Sequence, residues 1–235
     1  MIMIWNGNIE VIGFDADDTL WVNEPYYREA EMEFVKLVSA YGVSGDIAGS
    51  LFKTEMANLK LYGYGIKAFM LSLVECAIDL TEGAVTASTI SKIIGIGKEM
   101  LQRPIELLEG VKQVLERLAP HYKLIVATKG DLLDQEGKMK RSGISGYFHH
   151  IEVMSDKQDE NYVQLLQHLE IEPSAFLMIG NSMKSDILPP LNLGAMAIHV
   201  PFHTTWEHEE VDKEPESDRF IRVGAIAEVP GLIIR

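Results

Sequence analysis

The stretch FDADDTLW, residues 14–21, places three carboxylates, Asp15, Asp17 and Asp18, within four positions, directly behind the apolar run IEVIGF (9–14). Other apolar runs close on reactive side chains in the same way. KLIVATKG (123–130) ends in Thr128, Lys129 and Gly130, FHHIEVMSD (148–156) is followed by Lys157, and AFLMIGNS (175–182) ends in Gly180, Asn181 and Ser182, with Asp186 five residues after Asn181. In parallel α/β sheets, ligands bind beyond the carboxyl ends of the strands. Carboxylates, a hydroxyl, an ammonium and an amide–carboxylate pair would therefore converge on one edge. Singly, each has an ordinary explanation. An Asp-rich strand end is a polar turn, a Thr suits a strand, a Lys suits a surface, and Asn and Asp start helices. Their joint position sets them apart, each group ending a successive strand.

The elements that must carry these groups are legible as well. Two further runs, GAMAIHVP (194–201) and RFIRV (219–223), complete a set of six. Most are continuously apolar, as suits strands buried on both faces of a parallel sheet. Helix-like segments lie between them at 109–118, 132–142 (closed by Gly143), 162–169 and 187–193. This alternation predicts an α/β fold with a doubly wound parallel sheet. One interval breaks the rhythm. From 22 to 102 there is no strand run, but a helix with Asn23 as N-cap, Pro25 in its first turn and Phe34, Leu37, Val38 and Tyr41 at helical spacing, then three more apolar-periodic stretches. The expected division is a core of 1–21 and 103–235, with an all-helical domain, 22–102, inserted after the first strand.

Composition limits what the site can serve. The chain has 235 residues, 47% of them hydrophobic, and 21 Lys+Arg against 35 Asp+Glu give a net charge of −14. Such a surface repels nucleic acid and anionic membranes, and an anionic substrate needs a local cation to invert the field. The lone cysteine, Cys76, is expected to be a small buried hydrophobe in a reducing compartment. No apolar run approaches the ~20 residues of a membrane span, so a soluble cytoplasmic protein is expected. The acidic stretch 207–218 reads as a solvated loop. His203, Trp206 and His208 match no helical zinc pair and read as a structural loop. Nothing in the pattern specifies an oligomeric state.

The four strand-end motifs resemble those of the haloacid dehalogenase-like hydrolase superfamily. DADDTL is similar to its Asp-x-Asp-x-Thr first motif, IVATKG to its second, Lys157 in VMSDKQDE to its third and GNSMKSD to its fourth. The resemblance covers 8–22 and 103–205, including the connection DLLDQEGKMKRSGISGYFHHIEV. It implies a Rossmann-like core with a mobile cap, to which the 22–102 insertion is similar. It also implies a Mg²⁺-dependent phosphatase that acts on a small phosphorylated metabolite through an aspartyl-phosphate. In that family pattern Asp15 is nucleophile and metal ligand. Asp17 is the general acid/base and lends the metal its backbone carbonyl. Thr128 and the N–H groups of Lys129 and Gly130 hold phosphoryl oxygens, and Lys157 stabilises charge. Asn181 and Asp186 complete the metal site. Trp21, Asn23, Glu24 and the stretch LKLYGYGIK (59–67) are the candidate substrate contacts. The chain departs from the pattern twice, with Asn181 where many relatives carry Asp and Asp18 where many carry Gly. Asp18 is expected to shape the turn or face solvent, and Thr19 to brace the loop. The second aspartate favours phosphoryl transfer over dehalogenation. A phosphomutase, a haloacid dehalogenase and a non-catalytic binding protein are the alternatives.

Overall fold

The structure, a computed structural model, describes residues 9–234 apart from 210 and 212. The N-terminal MIMIWNGN and two positions of the acidic stretch 207–218 therefore lie outside the described residues.

Each of the six apolar runs forms a strand: β1 (Val11–Phe14), β2 (Lys123–Lys129), β3 (His150–Met154), β4 (Phe176–Gly180), β5 (Met196–His199) and β6 (Phe220–Arg222). They make one parallel sheet in the order β3-β2-β1-β4-β5-β6. β1 and β4 are buried along their whole length. Alternate residues serve opposite layers. Ile12, Phe14, Leu124, Val126, Leu177 and Ile179 join one core, while Val11, Ile125, Ala127, Phe176 and Met178 join the other. Phe14 pairs with both Val126 and Ile179, so the chain leaves β1 at Asp15 between the ends of β2 and β4. Strand order reverses between β1 and β4, which makes this the switch point where such sheets bind ligands.

The chain divides into two compact units. One comprises the residues up to Glu24, Ile105–Lys129 and Gln135 onward; the other comprises Pro25–Pro104 with Gly130–Asp134. The second unit is helical, built on α1 (Glu24–Ser39), α2 (Ile47–Tyr62), α3 (Ile66–Leu80) and α4 (Ala87–Gln102). Its own core contains Phe34, Val38, Leu51, Phe69, Leu73, Cys76 and Ile93, and Cys76 is buried as expected. Asp46 caps α2 by accepting from the Gly49 N–H (2.8 Å), and Thr86 caps α4 by accepting from that of Thr89 (3.2 Å). Between α2 and α3, Gly63 and Gly65 take φ of 72° and 105°, a region that glycine enters freely. Tyr62 beside them is exposed and Tyr64 half-buried.

The sheet unit carries α5 (Val111–Leu118), α6 (Leu132–Ser142, of which residues 135–142 fall in this unit), α7 (Asp159–Leu169), α8 (Leu188–Leu193) and α9 (Val229–Ile233). α5 buries Val111, Val114, Leu115 and Leu118, a stripe at helical spacing, in the same core as Ile12 and Phe14. α7 buries Tyr162, Leu165 and Leu166 in the other. It starts three residues before its first apolar position, because Asp159 and Glu160 suit the positive end of a helix. The segment expected as one helix over 187–193 is a π-type turn, Met183–Ile187, running into α8, which opens with Pro189 and Pro190. Among the described residues no helix is long and apolar enough to cross a membrane.

Candidate active site

Asp15 leaves β1 with its N–H donating to the Ile179 carbonyl (2.8 Å), and its side chain is buried. Lys157, just past β3, is buried to 1% exposure, and its Nζ reaches Asp15 Oδ1 at 2.5 Å and Asp186 Oδ1 at 2.6 Å. Two buried carboxylates thus share one ammonium. Burial, reinforced by Asp186, pushes the Asp15 carboxyl up to about 7, although Lys157 pulls the other way. Burial also works against the Lys157 charge, but the two carboxylates outweigh it and raise its pKa.

Asp186 is fixed by the turn around it. Its Oδ2 accepts from the Ser182 N–H (2.9 Å), and Ser182 Oγ accepts from the Ser185 N–H (3.0 Å). A Cβ on Gly180 would stand 2.3 Å from Asp186 Oδ2, so only glycine at the end of β4 lets this carboxylate lie against the strand. Asn181 turns its amide NH₂ onto Asp15 Oδ2 (3.3 Å), the Asp17 carbonyl (3.2 Å) and Thr19 Oγ (3.2 Å). Thr19 Oγ in turn donates to Asp15 Oδ2 (3.2 Å), bracing the loop as expected.

These groups fit a magnesium ion. Two carboxylates and a backbone carbonyl are hard oxygen donors, and the Asn181 amide adds a fourth when it is turned over so that its oxygen faces them, the set that Mg²⁺ takes alongside water. The acceptors converge on one another, and the paired acids hold more negative charge than Lys157 cancels. Among the described residues no three His, Cys, Asp or Glu side chains gather as a metal cluster. With only two acidic side chains contributing, the set suits a weakly held hard cation better than a structural zinc.

Asp17 faces away from that group. Its Oδ1 accepts from Trp21 Nε1 (2.7 Å) and Lys138 Nζ (3.0 Å), and its Oδ2 from Gln135 Nε2 (2.8 Å). Trp21, expected as a substrate contact, is fully buried in the sheet unit's core among Ile12 and Phe14. The correction has a physical reason: the ring is an anchor, and its one polar atom is spent on Asp17. Asn23, also expected to touch substrate, accepts from Lys138 Nζ through its Oδ1 (3.0 Å).

Asp18 shapes the turn, one of the two roles expected of it, and corrects the expected cap of the helix that follows. It does not face solvent but is buried, with φ of 62° in the left-handed region that Gly, Asn and Asp enter most readily. Its carboxylate accepts from the N–H groups of Asn23 (2.8 Å) and Glu24 (2.9 Å), so Asp18, rather than the Asn23 side chain, caps the start of α1. Burial pushes its carboxyl up to about 8 against the pull of those donors. The folded chain therefore keeps a proton that the unfolded chain, at the ordinary value of 3.8, has released. The stability this group contributes is full below that value and is lost as pH rises towards 8. Asp18→Asn keeps an acceptor and tolerates the backbone angle. Its stability relative to the parent should climb steadily between about pH 4 and pH 8; urea unfolding across that range checks this, and a flat difference contradicts it.

The remaining groups sit at the ends of β2 and β4. Thr128 is buried, and its hydroxyl donates to the Lys129 carbonyl (3.3 Å) rather than to any of the carboxylates. Lys129 Nζ donates to Ser185 Oγ (2.9 Å) and Glu209 Oε1 (2.6 Å). Gly130 follows β2 with φ of 129°. Glu209 is the exception to the solvated-loop reading of its segment, most of whose described residues are exposed. Although burial opposes its charge, Lys129 and the Ser182 and Ser185 hydroxyls hold its carboxyl down to about 2. Residues 214 and 216 are exposed. In the structural loop expected around His203, Trp206 and His208, the rings of Trp206 and His208 pack 5.0 Å apart, and Lys184 donates to the His208 carbonyl (2.8 Å). Gln135, Lys138 and Glu209 are the site residues that the sequence motifs missed.

Known proteins resemble the chain over most of its length. The family model of the haloacid dehalogenase-like hydrolases matches residues 9–194. A haloacid dehalogenase-like family hydrolase from Xanthomonas campestris superposes with a TM-score of 0.86 at 38% identity, covering 98% of this chain and 94% of that one. N-acylneuraminate-9-phosphatase of Homo sapiens is 23% identical over 238 residues, 96% of this chain and 94% of that protein. Glyceraldehyde 3-phosphate phosphatase of Methanopyrus kandleri is 21% identical over 217 residues, 89% of each chain. The motifs, the sheet order and the convergence of Asp15, Lys157, Asn181 and Asp186 at its switch point agree with these matches: the chain belongs to the haloacid dehalogenase-like hydrolases.

Proposed function

We propose that this protein is a Mg²⁺-dependent phosphatase that moves the phosphoryl group of a small phosphorylated metabolite to Asp15 and then to water, in the cytoplasm. The observation that carries the reading is Asp17. A halide leaves carbon without needing a proton, whereas an alkoxide leaving phosphorus needs one. A second carboxylate held by three donors, two residues beyond Asp15, is suited to deliver it. The two curated relatives are named as phosphatases, which points the same way.

Bound among Asp15, Asp186, Asn181 and the Asp17 carbonyl, Mg²⁺ would supply the positive charge that lets a dianionic phosphate approach a carboxylate. An Asp15 oxygen attacks phosphorus, the bond from phosphorus to the leaving oxygen breaks, and the Asp17 proton passes to that oxygen. Asp17, now a carboxylate, takes a proton from the water that attacks phosphorus next, and Asp15 is released. Lys157 offsets charge on Asp15 and the phosphoryl group throughout. Thr128 and the N–H groups after it hold phosphoryl oxygens. The inserted helical unit is the cap of this reading, and selection of the leaving group is assigned to it.

The test is phosphate release from p-nitrophenyl phosphate and from a panel of sugar and triose phosphates, with Mg²⁺ and with EDTA. Release that needs Mg²⁺ is expected. Metal-independent release of chloride from 2-chloropropionate, or conversion between sugar-phosphate isomers with little free phosphate, overturns the reading.

A further inference from the structure

Two polar residues of α6, Gln135 and Lys138, belong to none of the four motifs, yet both are buried, at 2% and 7% exposure. They are three residues apart on a helix and so share a face. Both reach Asp17. A buried lysine and a buried glutamine aimed at one carboxylate are costly to keep unless they do something there.

The pattern of donors is asymmetric. A carboxylate has about four lone-pair sites, two on each oxygen. Asp17 Oδ1 accepts from Trp21 Nε1 at 2.7 Å and Lys138 Nζ at 3.0 Å, which fills both of its sites. Among the described residues, Oδ2 accepts only from Gln135 Nε2, at 2.8 Å, one donor against the two on Oδ1. The Gln135 amide cannot turn over, because the same NH₂ also donates to the Lys129 carbonyl (3.0 Å) and both its partners are acceptors. Lys138 is anchored in turn by Asn23 Oδ1 (3.0 Å), and Trp21 by the core.

We infer that Lys138, Gln135 and Trp21 are positioning residues that select the working oxygen of Asp17, with Oδ1 locked and Oδ2 carrying the proton to the leaving group. This rests on the phosphatase reading. In the step concerned, the Asp15–phosphorus bond forms, the bond from phosphorus to the leaving oxygen breaks, and the proton on Asp17 Oδ2 passes to that oxygen while its electron pair stays on Asp17. Lys138→Met keeps the length of the side chain and removes a donor from Oδ1, which frees that oxygen to compete for the proton.

Leaving groups of different basicity separate this role from a structural one. p-Nitrophenolate departs with little need of a proton, whereas an alkoxide cannot depart without one. The quantity to compare is kcat/KM, which covers the steps through departure of the leaving group and excludes the later attack of water. Lys138→Met should lower kcat/KM about 10²-fold for an alkyl phosphate such as glycerol 1-phosphate, within the range that a general acid supplies, and much less for p-nitrophenyl phosphate. Lys138→Arg should recover part of the loss, and Lys138→Met should add nothing further in an Asp17→Asn background. Gln135→Leu serves as the second variant if Lys138→Met does not fold, and its loss should show the same leaving-group dependence. Equal losses on both substrates, or an undiminished effect without Asp17, overturn the inference and leave the phosphatase reading standing. If the unmodified protein releases phosphate from neither substrate in Mg²⁺, the phosphatase reading itself fails.

Discussion

Asp15→Asn should abolish Mg²⁺-dependent release of p-nitrophenolate, with kcat/KM falling on the order of 10⁵-fold, while the protein remains folded. An amide oxygen is a poor nucleophile, and losing one carboxylate weakens the hold on a cation. Folding should be spared for a local reason. Asp15 shares Lys157 with Asp186, and burial together with Asp186 already pushes its carboxyl up to about 7. A neutral amide of the same shape still accepts from Lys157 Nζ and no longer repels Asp186. The thermal midpoint should hold or rise. Steady-state kinetics and a melting curve on the same preparation check both halves, and residual activity near the parent's contradicts the assignment of Asp15.

Lys157→Met should have the largest effect on stability. It leaves Asp15 and Asp186, both buried, facing each other without the ammonium that lies 2.5 Å and 2.6 Å from them. Breaking a buried ion pair from one side costs about 3–5 kcal/mol, because the partner's charge stays buried without compensation. The deficit should depend on pH. In the variant a proton can replace the ammonium, so the loss should be greatest near pH 8 and smaller near pH 5. Added Mg²⁺ should return part of the lost stability, because it binds the folded carboxylates. Urea unfolding at the two pH values, with and without Mg²⁺, measures this. A deficit independent of both pH and Mg²⁺ would mean that Lys157 contributes packing rather than charge.

The sheet was legible because β1 and β4 are buried on both faces and read as unbroken apolar runs. The reversal of strand order between β1 and β4 left no trace in local pattern. Asp15, Lys157 and Asp186 were legible because each follows a strand whose end can be found. The supporting groups were not. Gln135 and Lys138 lie in LLDQEGKMKRS, a helix crowded with polar residues, where nothing local distinguishes a buried lysine from a solvated one. Their spacing of three is the only signal they offered. Glu209 was lost in an acidic stretch, since its burial depends on Lys129, 80 residues earlier. Trp21 looked like a substrate contact because its position after the first motif was visible, while its burial against Ile12 and Phe14 was not. For Asp18 the sequence left turn-shaping and solvent exposure both open, because its work is done on backbone N–H groups five and six residues ahead.

In the proposed reaction phosphorus becomes bonded to Asp15 during turnover. That step is tested most directly by quenching the protein in acid during hydrolysis of a phosphorylated substrate with Mg²⁺, reducing the acyl phosphate with borohydride and mapping the peptides by mass spectrometry. Homoserine is expected at position 15, dependent on substrate and Mg²⁺ and absent from Asp15→Asn. Turnover with the modification at another residue, or with none at Asp15 under conditions that trap an acyl phosphate, would contradict it.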